Sequence, residues 1–182
     1  MRGLIVLLLP FALCVPVNAQ ARPGAAVQIY PAGQTAVVQL NLPLESRYEA
    51  GFHAGYNRTR RRDWGVHDDE RGGGPGLGLS LKRFVRPESE DWFYGLRIDL
   101  WSLAIDWYDT EPECSGAASE CRLSGDSRIL VFQPTVEAGY RIFARGLKVD
   151  LALSFGREIN VQTRGLPVGE GIILLAGASV TF

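Results

Sequence analysis

Residues 171–182 read GIILLAGASVTF and close the chain on a phenylalanine. The apolar side chains in this stretch occupy every second position, and the positions between them include Gly177, Ser179 and Thr181. Alternation of this kind over about ten residues is typical of a β-strand with one face toward lipid. After the first twenty residues no run of about twenty apolar residues could span a membrane as a helix, so a membrane span must be a barrel strand.

Seven further segments show the same alternation and bring the predicted strand count to eight. The clear segments are 48–57, 130–142 and 147–156, the weaker ones are 25–30, 35–42 and 74–85, and the longest is 92–107. In the longest segment Trp92 and Tyr94 begin one apolar set, whereas Leu103 and Ile105 belong to the other. This change of parity predicts a β-bulge near Trp101 or Ser102.

The connections between these strands alternate between long and short. We assign them to the two sides of the membrane by counting backward from a C terminus placed in the periplasm. Long loops fall outside the cell and short turns fall inside, as in bacterial outer-membrane barrels. The predicted outer connections are 160–170, 109–127, 58–73 and the short 31–34; the predicted inner ones are 144–146, 86–91 and 43–46. We therefore predict an all-β chain whose residues 20–182 form an eight-stranded antiparallel up-and-down transmembrane β-barrel.

A soluble β-sandwich is the alternative fold, because its strands also alternate between apolar and polar faces. Long strands, glycines repeated on the polar face and aromatic residues near strand ends favour the barrel.

The first nineteen residues predict export. Residues 1–19 hold an early Arg2, an apolar run and the sequence Val17-Asn18-Ala19, which together indicate a signal peptide cleaved before Gln20. A lipid-modified Cys14 is the alternative, although Leu13 stands where lipoprotein processing prefers a small residue.

In an exported chain, Cys114 and Cys121 predict a local disulfide in a polar Gly/Ser-rich loop.

The formal net charge of -1 argues against nucleic acid as a partner.

These features together resemble the small eight-stranded outer-membrane barrels of the OmpA/OmpX type. The resemblance covers the whole mature chain and rests on the signal peptide, the strand count, the loop asymmetry and the ending Val180-Thr181-Phe182. It implies residence in the outer membrane, contact with membrane lipid and lipopolysaccharide, and a C-terminal strand ending in Phe182 that the barrel assembly machinery reads. Such folds serve as adhesins, enzymes or structural proteins, so the fold alone does not give the function.

The positions predicted to face the barrel interior collect charges of both signs. An eight-stranded barrel is just filled by its side chains, so these charges predict an ion-pair network. Its predicted members are Glu49, His53, Lys82, Arg97, Asp99, Glu137, Arg141, Lys148 and Asp150. A proton or ion path, or a catalytic cluster at His53, is the alternative, because imidazole titrates near neutral pH.

The outer segment 58–73 carries the richest polar chemistry predicted for the surface. Its arginines could bind lipopolysaccharide phosphates bidentately and its acidic block could hold a divalent cation, unless the two blocks pair with each other. The binding candidates are Arg60, Arg61, Arg62, Trp64, Asp68, Asp69 and Glu70. The run 68–70 lacks the spaced oxygens and central glycine of a calcium loop, so we predict no metal site.

Three functions follow from the predicted barrel. We favour a non-enzymatic monomer, without cofactor, that stabilises the outer membrane or binds a surface partner or lipopolysaccharide through segments 58–73 and 109–127. The alternatives are a small channel or transporter and an enzyme that modifies lipid A. An acyl hydrolase would need a nucleophile and a base within hydrogen-bond reach, and the inward Ser80, Ser154 and Ser179 have no evident base.

Overall fold

The computed structural model describes residues 20–45, 47–62, 65–86, 91–110 and 122–182. The predicted signal peptide, the cysteine pair Cys114 and Cys121, and Trp64 lie outside the described residues. The strands are β1 (Arg22–Tyr30), β2 (Gly33–Glu45), β3 (Tyr48–Arg62), β4 (Asp69–Phe84), β5 (Asp91–Thr110), β6 (Arg122–Ala144), β7 (Leu147–Arg164) and β8 (Gly171–Thr181).

Each strand pairs antiparallel with its neighbours in sequence, and β1 pairs with β8 to close the barrel. The closing seam runs from Gly24 opposite Thr181 to Ile29 opposite Ala176. The predicted eight-stranded up-and-down barrel is therefore confirmed. We call the end that carries Gln20 and the turn 145–146 the lower end, and the opposite end the upper end. Within the described residues there is no helix long and apolar enough to cross a membrane.

The outer wall carries a continuous apolar band. Its exposed members include Val38, Leu40, Phe52, Leu77, Leu79, Leu81, Leu96, Ile98, Leu100, Val136, Leu151, Leu153, Phe155 and Leu174. Trp92 and Tyr140 meet edge to face near the lower end, and their ring centroids are 5.2 Å apart. At the other border of the band Tyr56 is about half exposed. This arrangement matches an outer surface in contact with hydrocarbon between two aromatic girdles.

The predicted bulge in the longest strand is wrong. β5 pairs with β6 without a register shift from Asp91 opposite Arg141 to Thr110 opposite Arg122. Its inward side chains change from charged to apolar at Trp101, while Ser102 and Asp106 occupy the outer wall. The parity of the apolar residues changes because the upper part of β5 turns apolar side chains inward and polar ones outward. The strand does not change register.

The structure places its register shift in this part of the sheet between β6 and β7 instead. Leu130 lies opposite Gln162, whereas the next residue, Val131, lies opposite Asn160. Val161 is therefore the extra residue of a bulge on β7.

Three hairpins continue farther upward than the sequence predicted. One is β5 with β6, since β6 begins at Arg122, inside the predicted connection 109–127. Segment 58–73 was expected to be a loop, but β3 extends to Arg62 and β4 begins at Asp69, so only 63–68 connects them. Likewise β7 extends to Arg164 and leaves 165–170 as the connection to β8. The strand predictions stopped where the apolar alternation stopped, although strand pairing continues through charged residues above it.

Candidate functional site

The lower interior holds a four-membered ion-pair cluster around Arg141. The Arg141 guanidinium donates to Glu49 at 2.8 and 3.1 Å and to Asp150 at 2.6 and 2.8 Å. Lys82 Nζ donates to Asp150 Oδ2 at 2.8 Å. The guanidinium also lies over the Phe84 ring, 4.1 Å from its centroid. Two cations thus face two carboxylates, so this cluster has no net charge.

A second cluster occupies the middle of the interior and centres on Asp99. His53 Nε2 lies 2.6 Å from Asp99 Oδ1, and Arg97 donates to both carboxylate oxygens of Asp99 at 2.7 and 3.1 Å. Ser80 lines the same small cavity of about 30 Å³ as His53. No hydrogen bond joins Ser80 to His53 among the described residues, so the geometry does not assemble a nucleophile with a base.

The remaining two predicted members of the interior network are placed differently. Glu137 is buried and its Oε1 has no hydrogen-bond partner in the described part of the chain. Lys148 is half-buried, with Nζ 5.8 Å from the centroid of the Phe143 ring. Neither side chain makes an ion pair with a described residue, so the predicted network consists of two separate clusters with Glu137 and Lys148 beside them.

An apolar layer lies above these two clusters. Leu103, Ile105, Ile129 and Val131, on the neighbouring strands β5 and β6, are at most 3% exposed, and they belong to one buried cluster with Ala26 of β1 and Val37 of β2. Trp101 joins them and donates its indole N–H to Gln133 Oε1 at 3.0 Å. The layer separates the polar middle of the barrel from its upper end. The parity change in β5 was the sequence signal for this layer, and the bulge interpretation missed it.

A third cluster lies inside the upper end and includes two residues predicted to be surface binders. Arg61 Nη1 donates to Glu70 Oε2 at 3.1 Å, and Arg61 Nη2 donates to Glu158 Oε2 at 2.5 Å. All three residues are at most 5% exposed. Arg61 and Glu70, which were predicted to bind partners from a loop, lie instead at inward strand positions.

Glu70 also fastens the connections that cover the upper end. Its Oε1 accepts backbone N–H groups of Val66 at 2.9 Å, His67 at 3.3 Å and Gly169 at 2.9 Å. Val168, next to Gly169, is buried in the apolar layer. One buried carboxylate therefore binds both segment 65–68 and segment 165–170. We call these two segments together the upper cap.

His67 and Asp109 complete the upper cap. The His67 ring stacks on Trp107 with centroids 4.1 Å apart, and its Nδ1 and Nε2 lie 2.7 Å from Asp109 Oδ2 and 3.0 Å from Pro167 O. Both ring nitrogens therefore face hydrogen-bond acceptors. Asp109 also accepts the Asp68 N–H at 3.0 Å. The hydrogen bond from His67 lowers the pKa of Asp109.

Asp68, one of the predicted loop binding candidates, is part of the same cap. Its Oδ2 accepts the Thr110 N–H at 2.9 Å, so this carboxylate ties segment 65–68 to the end of β5. Within the described residues no group of three or more His, Cys, Asp or Glu side chains is placed to hold a metal ion.

The other arginines of β3 face outward. Arg58, Arg60 and Arg62 are exposed and alternate with buried residues. Arg71 on β4 is exposed directly opposite Arg60, and Asp69 lies opposite Arg62. We call Arg58, Arg60, Arg62 and Arg71 the outer-wall arginine patch. The patch begins two residues above Tyr56, at the upper border of the apolar band.

Within this patch Asp69 accepts two hydrogen bonds from Arg71 Nε at 2.9 and 3.1 Å, and a third from Arg71 Nη2. These bonds lower the pKa of Asp69. Asp69 therefore neutralises one arginine of the patch.

A second arginine pair lies on another part of the outer wall. Arg128 on β6 is directly opposite Arg164 on β7, and both are exposed. They line a groove of about 310 Å³ together with Ser102, Leu130 and Gln162. Like charges placed directly opposite each other on neighbouring strands are destabilising. Two such arginine pairs, 60 with 71 and 128 with 164, therefore stand on the outer wall above the apolar band.

Comparison with solved structures identifies the fold. Neisserial surface protein A (NspA) superposes with a TM-score of 0.52 at 12% sequence identity, over 89% of this chain and 96% of that chain. The chain has the fold of a small outer-membrane β-barrel. The N-terminal barrel of Pseudomonas aeruginosa OprF also matches, with a TM-score of 0.46, 10% identity and coverage of 89% and 96%. No protein-family model matches the sequence, and no curated protein sequence is significantly similar to it.

Proposed function

We propose that this protein is a non-enzymatic monomeric barrel of the bacterial outer membrane, and that its outer wall binds phosphate groups of lipopolysaccharide. The outer-wall arginine patch is the observation that carries the proposal. Its four arginines stand immediately above the apolar band, where the phosphates of a surrounding lipopolysaccharide layer lie. Asp69 neutralises only Arg71, so the patch keeps a positive charge.

The chemistry of the patch fits phosphate. The planar guanidinium group binds phosphate oxygens bidentately, and arginine is the residue that proteins use most for this purpose. Like charges directly opposite each other on neighbouring strands are destabilising, and Arg128 with Arg164 forms such a pair. A phosphate between these two arginines would turn their repulsion into attraction. Arg60 lies opposite Arg71, whose charge Asp69 already offsets, so a phosphate there would contact mainly Arg60.

The interior supports a barrel without transport or catalysis. The cavity in the middle cluster holds only about 30 Å³, and the apolar layer closes the path above it. His53 is buried below that layer, away from either water-exposed end. These features favour a filled interior whose ion pairs stabilise the fold.

The C-terminal strand fits the proposed assembly signal. The Phe182 side chain is exposed at the lower end, and its backbone N–H donates to Pro23 O at 3.0 Å. We infer that the barrel assembly machinery contacts this ring before β8 pairs with β1.

The direct test is binding of purified lipopolysaccharide to the full chain in nanodiscs. We expect the double variant Arg58→Ser with Arg71→Ser to weaken binding about tenfold, because an exposed ion pair contributes up to about 1 kcal/mol and a loss of about 1.4 kcal/mol is tenfold. It should also reduce the salt dependence of binding. Arg47→Ser, at an exposed arginine of the lower end, is the matched control. Equal affinity of the double variant and the control would refute the proposal.

A further inference from the structure

The upper rim of the barrel is interrupted above the hairpin of β1 and β2. Only Pro31 and Ala32 connect these strands, whereas their neighbours continue upward. β3 pairs with β2 up to Thr59 opposite Gly33, so residues 60–62 have no partner residue on β2. Likewise β8 pairs with β1 up to Ala176, and residues 171–175 have no partner residue on β1. We call this gap the notch.

Two cavities meet in the notch. One, of about 380 Å³, is lined by Pro31, Ala32 and the arginines of 60–62. The other, of about 240 Å³, is lined by Tyr30, Pro31, Ala32, Arg61, Glu158, Glu170 and residues 171–174. Because Pro31, Ala32 and Arg61 line both, the cavities are contiguous. One side of the notch is therefore cationic and the other side contains two carboxylates.

Glu158 is the group in the notch whose hydrogen bonding is incomplete. Its side chain is 6% exposed and its Oε2 binds Arg61, but its buried Oε1 has no partner among the described residues. Arg61 is shared with Glu70, so two carboxylates face one guanidinium and the three groups sum to a charge of -1. A buried carboxylate oxygen without a donor is costly. A cationic N–H donor in the second cavity would remove that cost.

The surroundings of Glu158 favour an ammonium group over a metal ion. Arg61 stands 2.5 Å from Glu158 and would repel a divalent cation more strongly than a singly charged ammonium, whose N–H groups can donate to the free Oε1. Glu170 supplies a second carboxylate on the same cavity, with its Oε2 accepting the Asn160 N–H at 2.9 Å.

The side chains at the mouth of the notch are apolar, so a ligand should have an apolar part there. Ile172 and Leu174 flank the second cavity and are 79% and 56% exposed on the outer wall. They continue the apolar band up to the notch. A molecule that fills the notch from the membrane side would therefore combine an acyl chain with a headgroup that carries both an anion and an ammonium.

We propose that the notch binds the phosphoethanolamine headgroup of a lipid. The ammonium donates to Glu158 Oε1, the phosphate faces Arg60 and Arg62, and an acyl chain lies along Ile172 and Leu174. This inference goes beyond the proposed lipopolysaccharide contact, because it requires the ammonium and its carboxylate. The same headgroup chemistry occurs on a phospholipid and on lipopolysaccharide substituted with phosphoethanolamine.

The test compares headgroups that differ only in N–H donors. We would measure dissociation constants of the full chain for short-chain phosphatidylethanolamine and phosphatidylcholine in detergent by native mass spectrometry. We expect about tenfold tighter binding of the ethanolamine lipid, because the quaternary choline cannot donate a hydrogen bond to Oε1. Equal binding of the two lipids to the wild-type chain would overturn the proposal without any variant.

The variant Glu158→Gln tests the residue. It should lose the preference for ethanolamine over choline, while Asp126→Asn, which removes an exposed carboxylate elsewhere, should keep it. Heat-modifiable gel migration confirms that each variant is folded. A folded Glu158→Gln variant that retains the preference would also overturn the proposal.

Two further experiments complete the test. The first distinguishes the two lipid sources, and the second distinguishes this proposal from the proposed function. Titration with phosphatidylethanolamine and with phosphoethanolamine-substituted lipopolysaccharide shows which carrier binds more tightly, and binding of neither would refute the notch site. The double variant Arg58→Ser with Arg71→Ser leaves the notch residues intact. It should keep the ethanolamine preference even if the lipopolysaccharide contact fails its own test.

Discussion

Arg141 shows how single residues stabilise the interior of this barrel. Its guanidinium bridges Glu49 and Asp150, which lie on β3 and β7, and stacks on Phe84. Alternation in the sequence was enough to predict that these charges share the interior. It was not enough to predict partners, because cross-barrel contacts depend on the register and tilt of all eight strands.

Replacing Arg141 should therefore be costly. In Arg141→Met, Glu49 loses its partner and Asp150 keeps only Lys82, so the free energy of unfolding should fall by about 3–5 kcal/mol. Urea unfolding in detergent micelles, followed by tryptophan fluorescence, measures this change.

Arg47→Met provides the control, because Arg47 is exposed at the lower end. Unfolding of Arg141→Met at the same urea concentration as the control would contradict the assigned role of the ion pairs.

The upper cap depends on contacts between strands and connections that are far apart in the sequence. Glu70 on β4 gathers N–H groups from two separate connections, and Asp109 at the end of β5 fixes His67 and Asp68. Long-range contacts of this kind have no signature in local alternation. The sequence predicted the position of each hairpin, but the strand ends were misplaced where apolar residues gave way to charged ones.

The pKa of Asp109 predicts how the cap responds to acid. Because the folded pKa lies below the unfolded value of about 3.9, the contribution of Asp109 is fully present above that value and is lost as the pH falls through the folded pKa. The amide resonance of Asp68, which donates to Asp109, should therefore shift only below about pH 4.

The variant Asp109→Asn should abolish this low-pH shift of the Asp68 amide, whereas Asp126→Asn should leave it unchanged. NMR spectroscopy of the labelled barrel in detergent measures both. A midpoint for the shift above the unfolded pKa would show that the sign is wrong.

The barrel has a lower and an upper half along its axis, and the two halves differ in the polarity of their interior and exterior. Below Trp101 the interior is charged and the exterior apolar. Above it the interior holds the apolar layer and the buried cluster of Arg61, Glu70 and Glu158, whereas Ser102, Asp106 and the outer-wall arginine patch face outward. The lower half was predictable because lipid-facing alternation is regular over about ten residues. The upper half resembles a water-soluble barrel, and its inverted pattern was mistaken for a bulge.

The apolar layer inside the barrel predicts that the protein does not conduct ions. The apolar layer of Leu103, Ile105, Ile129 and Val131 closes the interior, and an ion crossing it would lose its hydration without compensation. We expect planar bilayers containing the refolded chain to show no conductance steps. A porin inserted in the same bilayers is the positive control, and reproducible steps with this chain would contradict the filled interior.

The charged outer wall of the upper half also makes insertion a one-way process. The arginines of β3 and β4 and Asp106 must cross the hydrocarbon once, and a charged side chain at the bilayer midplane costs about 2–4 kcal/mol. The same barrier opposes withdrawal after these charges reach the far side. In the membrane placement proposed above, the upper half would therefore retain the barrel after insertion, with Gln20 and Phe182 at the opposite end.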